Sequence, residues 1–342
     1  MLLAWTPLRI SFFGGGTDFP EWYKNEKGLV VSTTIDKYCF VLLRTLPPYF
    51  DFKYRLRYYQ MELTKSIDQI KHPVIKNILK IYYKQKTGIE LNHFADIPGL
   101  SGLGSSSSFT VTMINLMNFF NGKSLKKYEL AKLALEFEQK ILKEPVGSQD
   151  QVATAYGGFN CISFYKDDFK VNKIKFNSQK LKNFENNCLL VYTGLSRHAK
   201  VLEKKKIKSI NHKNSYYKDI YDVANYAKKK LLINPNSFLD EIPYLLNETW
   251  NIKKKLSKNV SNSYIDTLYD HGIKNGALGG KLLGSGAGGF FLFLCKNINE
   301  KKRLVKSLKK SILVNFKTEN NGSKIIFKNK DYYEKFNKFY KK

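Results

Sequence analysis

Apolar and polar positions alternate along the chain with two different periods. Leu3 to Phe13 is a mostly apolar run that Gly14-Gly15-Gly16 breaks, and it reads as a strand. Leu29 to Leu46 alternates well enough for strands, interrupted by Asp36-Lys37-Tyr38 and ended by Pro47-Pro48. Tyr54 to Met61 is a further strand candidate, and Ile67 to Lys86 is helical, with Ile70, Val74, Ile78 and Ile81 on one stripe. Phe109 to Phe120 is apolar on nearly all sides, which predicts a buried helix. Lys126 to Lys143 is the next helix, and Phe159 to Tyr165 the next strand. The polar, lysine-rich stretch Asp167 to Glu185 divides the pattern, so we expect one domain over residues 1–170 and a second over 171–342. In the second, Cys188 to Tyr192 and Phe290 to Leu294 read as strands. The segment through Tyr217, Ile220, Tyr221, Ala224 and Ala227 reads as a long helix, followed by helices over Ser237–Leu256, Ser263–Asn275 and Glu300–Lys310. Asn321-Gly322 predicts a hairpin between Ile312–Phe316 and Lys324–Phe327.

The stretch Pro98 to Phe109, Pro-Gly-Leu-Ser-Gly-Leu-Gly-Ser-Ser-Ser-Ser-Phe, stands out against this pattern. Its glycines allow positive φ and close approach of a ligand, and its serines stand where the buried helix must start. A glycine-rich turn that opens onto a helix N-terminus is suited to anions, because free N–H groups and the helix dipole point at the same place. The duller reading is a Gly/Ser loop with an ordinary helix cap. No lysine follows the glycines, so the Walker pattern is excluded. Gly284-Ser285-Gly286-Ala287-Gly288-Gly289 formally fits Gly-x-Gly-x-x-Gly, but it precedes a strand-like run late in the chain, where a dinucleotide fingerprint has no place.

Composition narrows the function classes. At 342 residues the chain can hold two domains of ordinary size, and 43% hydrophobic content suits a globular protein. No apolar run approaches the ~20 residues that span a bilayer, and we expect no signal peptide, no membrane partner and a cytoplasmic location. The formal net charge of +29 comes from lysines spread along the chain without any nucleic-acid motif, so no nucleic-acid partner is expected. Lys204-Lys205-Lys206, Lys228-Lys229-Lys230 and Lys253-Lys254-Lys255 read as solvated helix faces. Four scattered cysteines suggest neither a zinc site nor a disulfide framework.

Several polar residues are candidates for chemistry. Glu136 belongs to the i, i+4, i+8 ladder Lys132-Glu136-Lys140, whereas Glu138 lies against the apolar stripe and needs a partner there, a cation or a hydrogen bond. Asp150 sits in a turn of Pro, Gly and Ser, as a helix cap or as a reactive carboxylate. Arg55 and Arg57 share a strand face, solvated or holding a phosphate. Arg197 and His198 follow a strand end at Thr193-Gly194, where a helix cap and a substrate-phosphate contact are both open.

The glycine-serine loop resembles the phosphate loop of the GHMP kinases, whose second motif reads Pro-x-x-x-Gly-Leu-Gly-Ser-Ser. Thr6 to Asp18 resembles the first motif of that family, with Arg9, Gly14, Thr17 and Asp18 coinciding, although Gly15-Gly16 stands where galactokinases have Glu-His. Lys281 to Gly289 resembles the third motif, Lys-x-x-Gly-x-Gly-x-Gly-Gly. The resemblance implies a two-domain α+β fold: an N-terminal domain like the second domain of ribosomal protein S5, and a ferredoxin-like C-terminal domain. It implies ATP and Mg²⁺ as cofactors and a small-molecule sugar phosphate as substrate. The ATP site would be Gly99, Leu100, Ser101, Gly102, Leu103, Gly104, Ser105, Ser106 and Ser107. Ser106 and Glu138 would bind the metal, Asp150 would be the catalytic base, and Arg9 would lie near the reacting hydroxyl. Substrate would be held by Gly15, Gly16, Thr17, Asp18, Asp36, Lys37, Arg57, Arg197 and Gly286. Within the family, Phe13 to Tyr23, Thr34 to Tyr38 and Thr193-Gly194-x-x-Arg197 look most like the heptose 7-phosphate kinases. A fucose-type sugar 1-kinase and a non-catalytic binding protein of the same fold are the alternatives. The oligomeric state stays open, a homodimer among the options.

Overall fold

The computed structural model describes residues 1–47, 49–85, 87–195, 214–256 and 259–329. Its backbone forms two sheets. Strand β1 (Leu2–Phe13) runs antiparallel to β2 (Gly28–Leu46), which is long enough to pair with β6 (Phe159–Tyr165) over its first part and with β5 (Gly88–Ala95) over its second. Beyond β5 lie β3 (Tyr54–Arg57), parallel to it, and β4 (Met61–Thr64) at the edge, while β7 (Asp168–Lys173) extends β6. On the other side β1 pairs with β12 (Lys324–Lys328), which makes this an eight-stranded sheet.

Asp36-Lys37-Tyr38 does not break β2 in two. It is absorbed as a bulge, where the register moves from Pro7↔Tyr38 to Leu8↔Ile35. Helix α1 (Pro20–Tyr23) follows β1. Helices α2 (Pro73–Tyr82), α3 (Ser105–Phe120), α4 (Lys127–Glu136) and α5 (Gln149–Tyr156) follow in the same half. Val111, Met113, Ile114, Leu116 and Met117 of α3 are fully buried, because the helix packs on β1, β2, α4 and α5 at once.

The second sheet is antiparallel throughout, in the order β11 (Ile312–Val314), β8 (Cys188–Tyr192), β10 (Phe290–Cys295), β9 (Ala277–Leu282). The same half of the chain holds α6 (Ser178–Asn187), α7 (Asn214–Ile233), α8 (Pro235–Phe238), α9 (Ile242–Leu256), α10 (Ser263–Lys274) and α11 (Ile298–Ser307), of which α7 packs on β1 and β2 of the first sheet and on α9. A shared apolar core, including Leu8, Phe12, Leu190, Phe238 and Phe290, joins the two sheets.

Three expectations need correction. The polar stretch Asp167 to Glu185, where the domain boundary is expected, forms β7, which pairs with β6 across residues 170 and 171, and then α6. The hairpin at Asn321-Gly322 does not form, since β11 joins the second sheet and β12 the first. Residues 324–328 therefore belong structurally to the first sheet, which the simple division at 170/171 misses. The longer helix expected over Lys126–Lys143 passes from α-helix to one π-helical stretch, Phe137–Ile141.

Candidate active site

A cleft of about 410 Å³ opens where the start of α3, the start of α5, the end of β1 and the second half of the chain meet. Gly102, Gly104, Ser105, Ser106 and Ser107 line one wall. Gly104 caps α3 in left-handed conformation (φ 76°), so the N–H groups of the first turn have no partner within the helix and lie beside the cleft. The loop is held from both sides. Arg9 N–H donates to the Leu103 carbonyl (2.9 Å), and Phe290 N–H donates to the Ser101 carbonyl (3.1 Å). A Cβ at Gly289 would lie 2.3 Å from that Ser101 oxygen, so the glycine lets the second sheet brace the loop. Ser101 and Leu103 are buried supports, Leu100 lines the cleft rim, and Gly99 is exposed with open space around it.

Asp150, in the first turn of α5, is gripped by Arg9 of β1. Arg9 Nε donates to one carboxylate oxygen (2.7 Å) and Nη2 to the other (2.8 Å). Nη1 of the same guanidinium donates to the Gly102 carbonyl (2.7 Å). This bidentate fork fixes the carboxylate plane and ties it to the phosphate loop. Arg9 is 4% exposed and Asp150 23%, so the carboxylate is the member that faces the cleft.

Asp18 lies opposite, fully buried in the glycine turn after β1. Its carboxylate accepts N–H groups from Gly16 (2.8 Å) and Gln149 (3.1 Å). Burial raises its pKa above the ordinary aspartate value, the Gly16 N–H partly offsets this, and repulsion from Asp150 adds to the rise. A Cβ at Gly147 would lie 2.1 Å from the Asp18 carboxylate, which explains a glycine there. Gly15 and Gly16 also line the cleft, and a side chain at Gly16 would meet the ring of Tyr217, itself stacked on Trp22. Thr17 does not line the cleft. Its hydroxyl bonds with the Gly14 and Leu29 backbone and holds the turn closed.

Glu138 comes from the π-helical stretch after α4 and is 2% exposed, whereas Glu136 is exposed and pairs with Lys140. Glu138 Oε2 accepts from Ser107 Oγ (3.0 Å) and from the Gln151 amide, while Oε1 has no hydrogen bond. Burial pushes its pKa up to about 7, against the pull of the neutral donors Thr110, Gln151 and Ser107. A buried carboxyl with one oxygen that accepts no hydrogen bond has the donor chemistry of a divalent-cation ligand. These residues therefore fit Mg²⁺. Ser107, not Ser106, is the serine bonded to Glu138; Ser106 is exposed and lines the cleft one position earlier on the helix.

The remaining substrate candidates do not converge here. Asp36 and Lys37 pair with each other at the β2 bulge (2.9 Å), and neither lines the cleft. Arg57 is exposed on β3, near the far edge of the first sheet, and its neighbour Arg55 is taken up by Glu90 (2.6 Å). Gly286 packs on Val260 rather than on the cleft, which its neighbours Gly284 and Ser285 line instead. Arg197 lies outside the described residues. The sequence reasoning missed two lysines. Lys253, assigned to a solvated face, turns inward and donates to the Leu282 and Gly284 carbonyls (2.7 and 2.6 Å). Lys281 donates to the Phe12 carbonyl (2.6 Å), and both lysines line the cleft. Lys281 was findable as the first residue of the third glycine motif; Lys253 carried no signal.

Residues 70–158 match the family profile of the GHMP kinases N terminal domain. The chain is 31% identical to D-glycero-alpha-D-manno-heptose 7-phosphate kinase of Campylobacter jejuni, over 89% of this chain and 92% of that protein. It is 25% identical to the bifunctional fucokinase/GDP-fucose pyrophosphorylase of Arabidopsis thaliana over 87% of this chain and 30% of that much longer protein. Among solved structures, a D-glycero-D-manno-heptose 1-phosphate kinase from Bacteroides thetaiotaomicron superposes with a TM-score of 0.78 at 23% identity, covering 96% of this chain and 100% of that one. The Lactococcus lactis galactokinase complexed with galactose superposes at 0.69 and 17%, covering 94% of each chain. The chain belongs to the GHMP kinases and has their two-part α+β fold. Within that class it is a sugar phosphotransferase of the sugar phosphate kinase type.

Proposed function

We propose that the protein transfers the γ-phosphoryl group of ATP to the anomeric hydroxyl of D-glycero-D-manno-heptose 7-phosphate, giving the 1,7-bisphosphate. The reaction would take place in the cytoplasm, on the way to nucleotide-activated heptose for surface polysaccharide. The Arg9–Asp150 fork at the mouth of the α3 helix carries the kinase reading. The Campylobacter relative carries the choice of sugar.

The first-turn N–H groups of α3 and the Gly102–Gly104 backbone hold the nucleotide phosphates. Glu138, with Ser106 or Ser107, holds Mg²⁺, which when bound supplies positive charge to the phosphate oxygens. Asp150 takes the proton of the sugar hydroxyl or orients that hydroxyl, and Arg9 keeps the carboxylate in place. Asp18 accepts hydrogen bonds from the ring hydroxyls. Positioning and electrostatics carry most of a phosphoryl transfer, which is what this set of groups provides.

The test is ADP release over a substrate panel: heptose 7-phosphate, free heptose, fucose, galactose and mevalonate. A charge-assisted contact to a sugar phosphate is worth about 1.5–3 kcal/mol, roughly ten- to more than hundredfold. Heptose 7-phosphate should therefore lead free heptose by that factor in kcat/KM, with galactose and mevalonate poor. Faster turnover of fucose would replace the heptose reading with that of a fucose-type kinase. No turnover of any sugar would refute the kinase reading itself.

A further inference from the structure

We propose a second anion-binding site, for an organic phosphate, which shares no lining residue with the catalytic cleft and does not depend on the sugar reading above. It is a cavity of about 590 Å³ between α11, the end of α6, β11 and the segment 315–317. Lys301 of α11 stands in its wall and is only 7% exposed. Its ammonium donates to Asn315 Oδ1 (2.7 Å), and among the described residues no carboxylate lies within ion-pair distance of it. The charged neighbours it lacks are not replaced by thiolates. Cys188 and Cys295 lie nearby, but burial holds both thiols protonated, Cys295 at about 11 and Cys188 well above its ordinary value. A buried ammonium with one neutral acceptor is a costly arrangement unless an anion completes it.

The rest of the cavity fits that anion. Lys302, Lys306 and Lys317 stand around the same space and are exposed. Of the two acidic residues of the wall, Asp36 is paired with a lysine, while Glu185 is held by a backbone N–H and keeps its charge. Asp36 accepts the Lys37 ammonium (2.9 Å) and the Lys317 N–H (2.9 Å), and Glu185 accepts the Thr318 N–H (2.7 Å). Burial lowers the Lys301 pKa, as expected for a cation still short of a counter-charge. Leu189, Val305, Leu313 and Phe316 give the cavity an apolar side. Four lysines beside an apolar wall suit a phosphate monoester with a ring or hydrocarbon body better than bare phosphate.

Calorimetric titration of the full chain with phenyl phosphate and with inorganic phosphate tests this, in the presence of Mg²⁺ and a non-hydrolysable ATP analogue to occupy the phosphate loop. We expect phenyl phosphate to bind at one site at least tenfold more tightly than inorganic phosphate. That binding should be lost in Lys301→Met, be about tenfold weaker in Lys306→Ala, and be unchanged in the cleft variant Lys253→Met. Equal binding of the two probes would support the anion site and assign it to free phosphate. If Lys301→Met does not melt like wild type, Lys306→Glu and Lys317→Glu decide, because both positions are exposed. Absence of binding to wild type, or binding that survives the lysine changes, overturns the proposal and leaves Lys301 as a brace between α11 and Asn315.

Discussion

Asp150 and Glu138 are carboxyls of one cleft held in opposite ways. Asp150 is clamped by a guanidinium; Glu138 is buried among neutral donors with an oxygen left bare. Asp150→Asn keeps the shape and removes the base, so kcat should fall about 10²-fold or more with nucleotide affinity nearly unchanged. Wild-type turnover in that variant would exclude a base at this position. Glu138 makes a pH prediction. Its folded pKa of about 7 lies above the ordinary glutamate value of 4.5, so between those values the folded state binds the extra proton. Metal-free stability should therefore fall as pH rises from about 4.5 to 7, by up to about 3 kcal/mol, and then level off. Glu138→Gln should flatten that slope, Mg²⁺ should offset it in wild type, and Glu136→Gln should leave it alone. Urea unfolding at a series of pH values reads all three; parallel curves for wild type and Glu138→Gln would show that the carboxyl does not titrate as described.

At the scale of elements, the cleft depends on where helices start and how they deviate. The π-helical stretch Phe137–Ile141 departs from the α-helix where Glu138 meets Ser107 and Gln151; such bulges often mark functional positions. Gly104 does the corresponding task for α3. Its φ of 76° is unfavourable for any other residue, and a Cβ would lie 3.2 Å from both the Arg9 side chain and the Asp150 carboxylate. Gly104→Ala should thus lower kcat/KM at least tenfold while the protein stays folded; activity within twofold of wild type would show that the fork tolerates the push. Much of this was legible beforehand. The strand periods and the all-apolar face of α3 predicted the elements, the glycine-serine turn pointed to the phosphate loop, and the resemblance to the GHMP kinases implied Arg9 and Asp150. What was not legible depends on long-range pairing. Nothing local tells β11 and β12 to enter different sheets when Asn321-Gly322 signals a turn. A lysine triplet at the end of α9 gives no sign that Lys253 alone folds inward onto carbonyls of the facing segment. That Ser107 bonds to Glu138 was not legible either, because the π-helical stretch has no mark in the residue pattern.

The whole molecule holds its cleft by contacts that cross between the sheets. Lys281 of β9 reaches the Phe12 carbonyl at the end of β1, and Phe290 of β10 reaches the Ser101 carbonyl in the loop. Lys281→Met fills similar space but leaves the Phe12 oxygen without this donor, so stability should drop by about 1–3 kcal/mol. A lower urea midpoint with an unchanged slope would report this loss; a wild-type midpoint would mean that the contact contributes nothing. The pairing of β12 with β1 bears on synthesis. Leu2 to Trp5 are synthesised well before their edge partner Lys324 to Lys328. At about 5–20 residues per second, that leaves the first edge uncovered for roughly 15–60 s in each round of translation. The brace on the phosphate loop is also delayed, since Phe290 emerges late. Between those events the nascent chain carries a bare strand edge and, until Phe290 is made, an unbraced nucleotide loop, and anything that shields Leu2 to Trp5 during that interval should raise the yield of active enzyme.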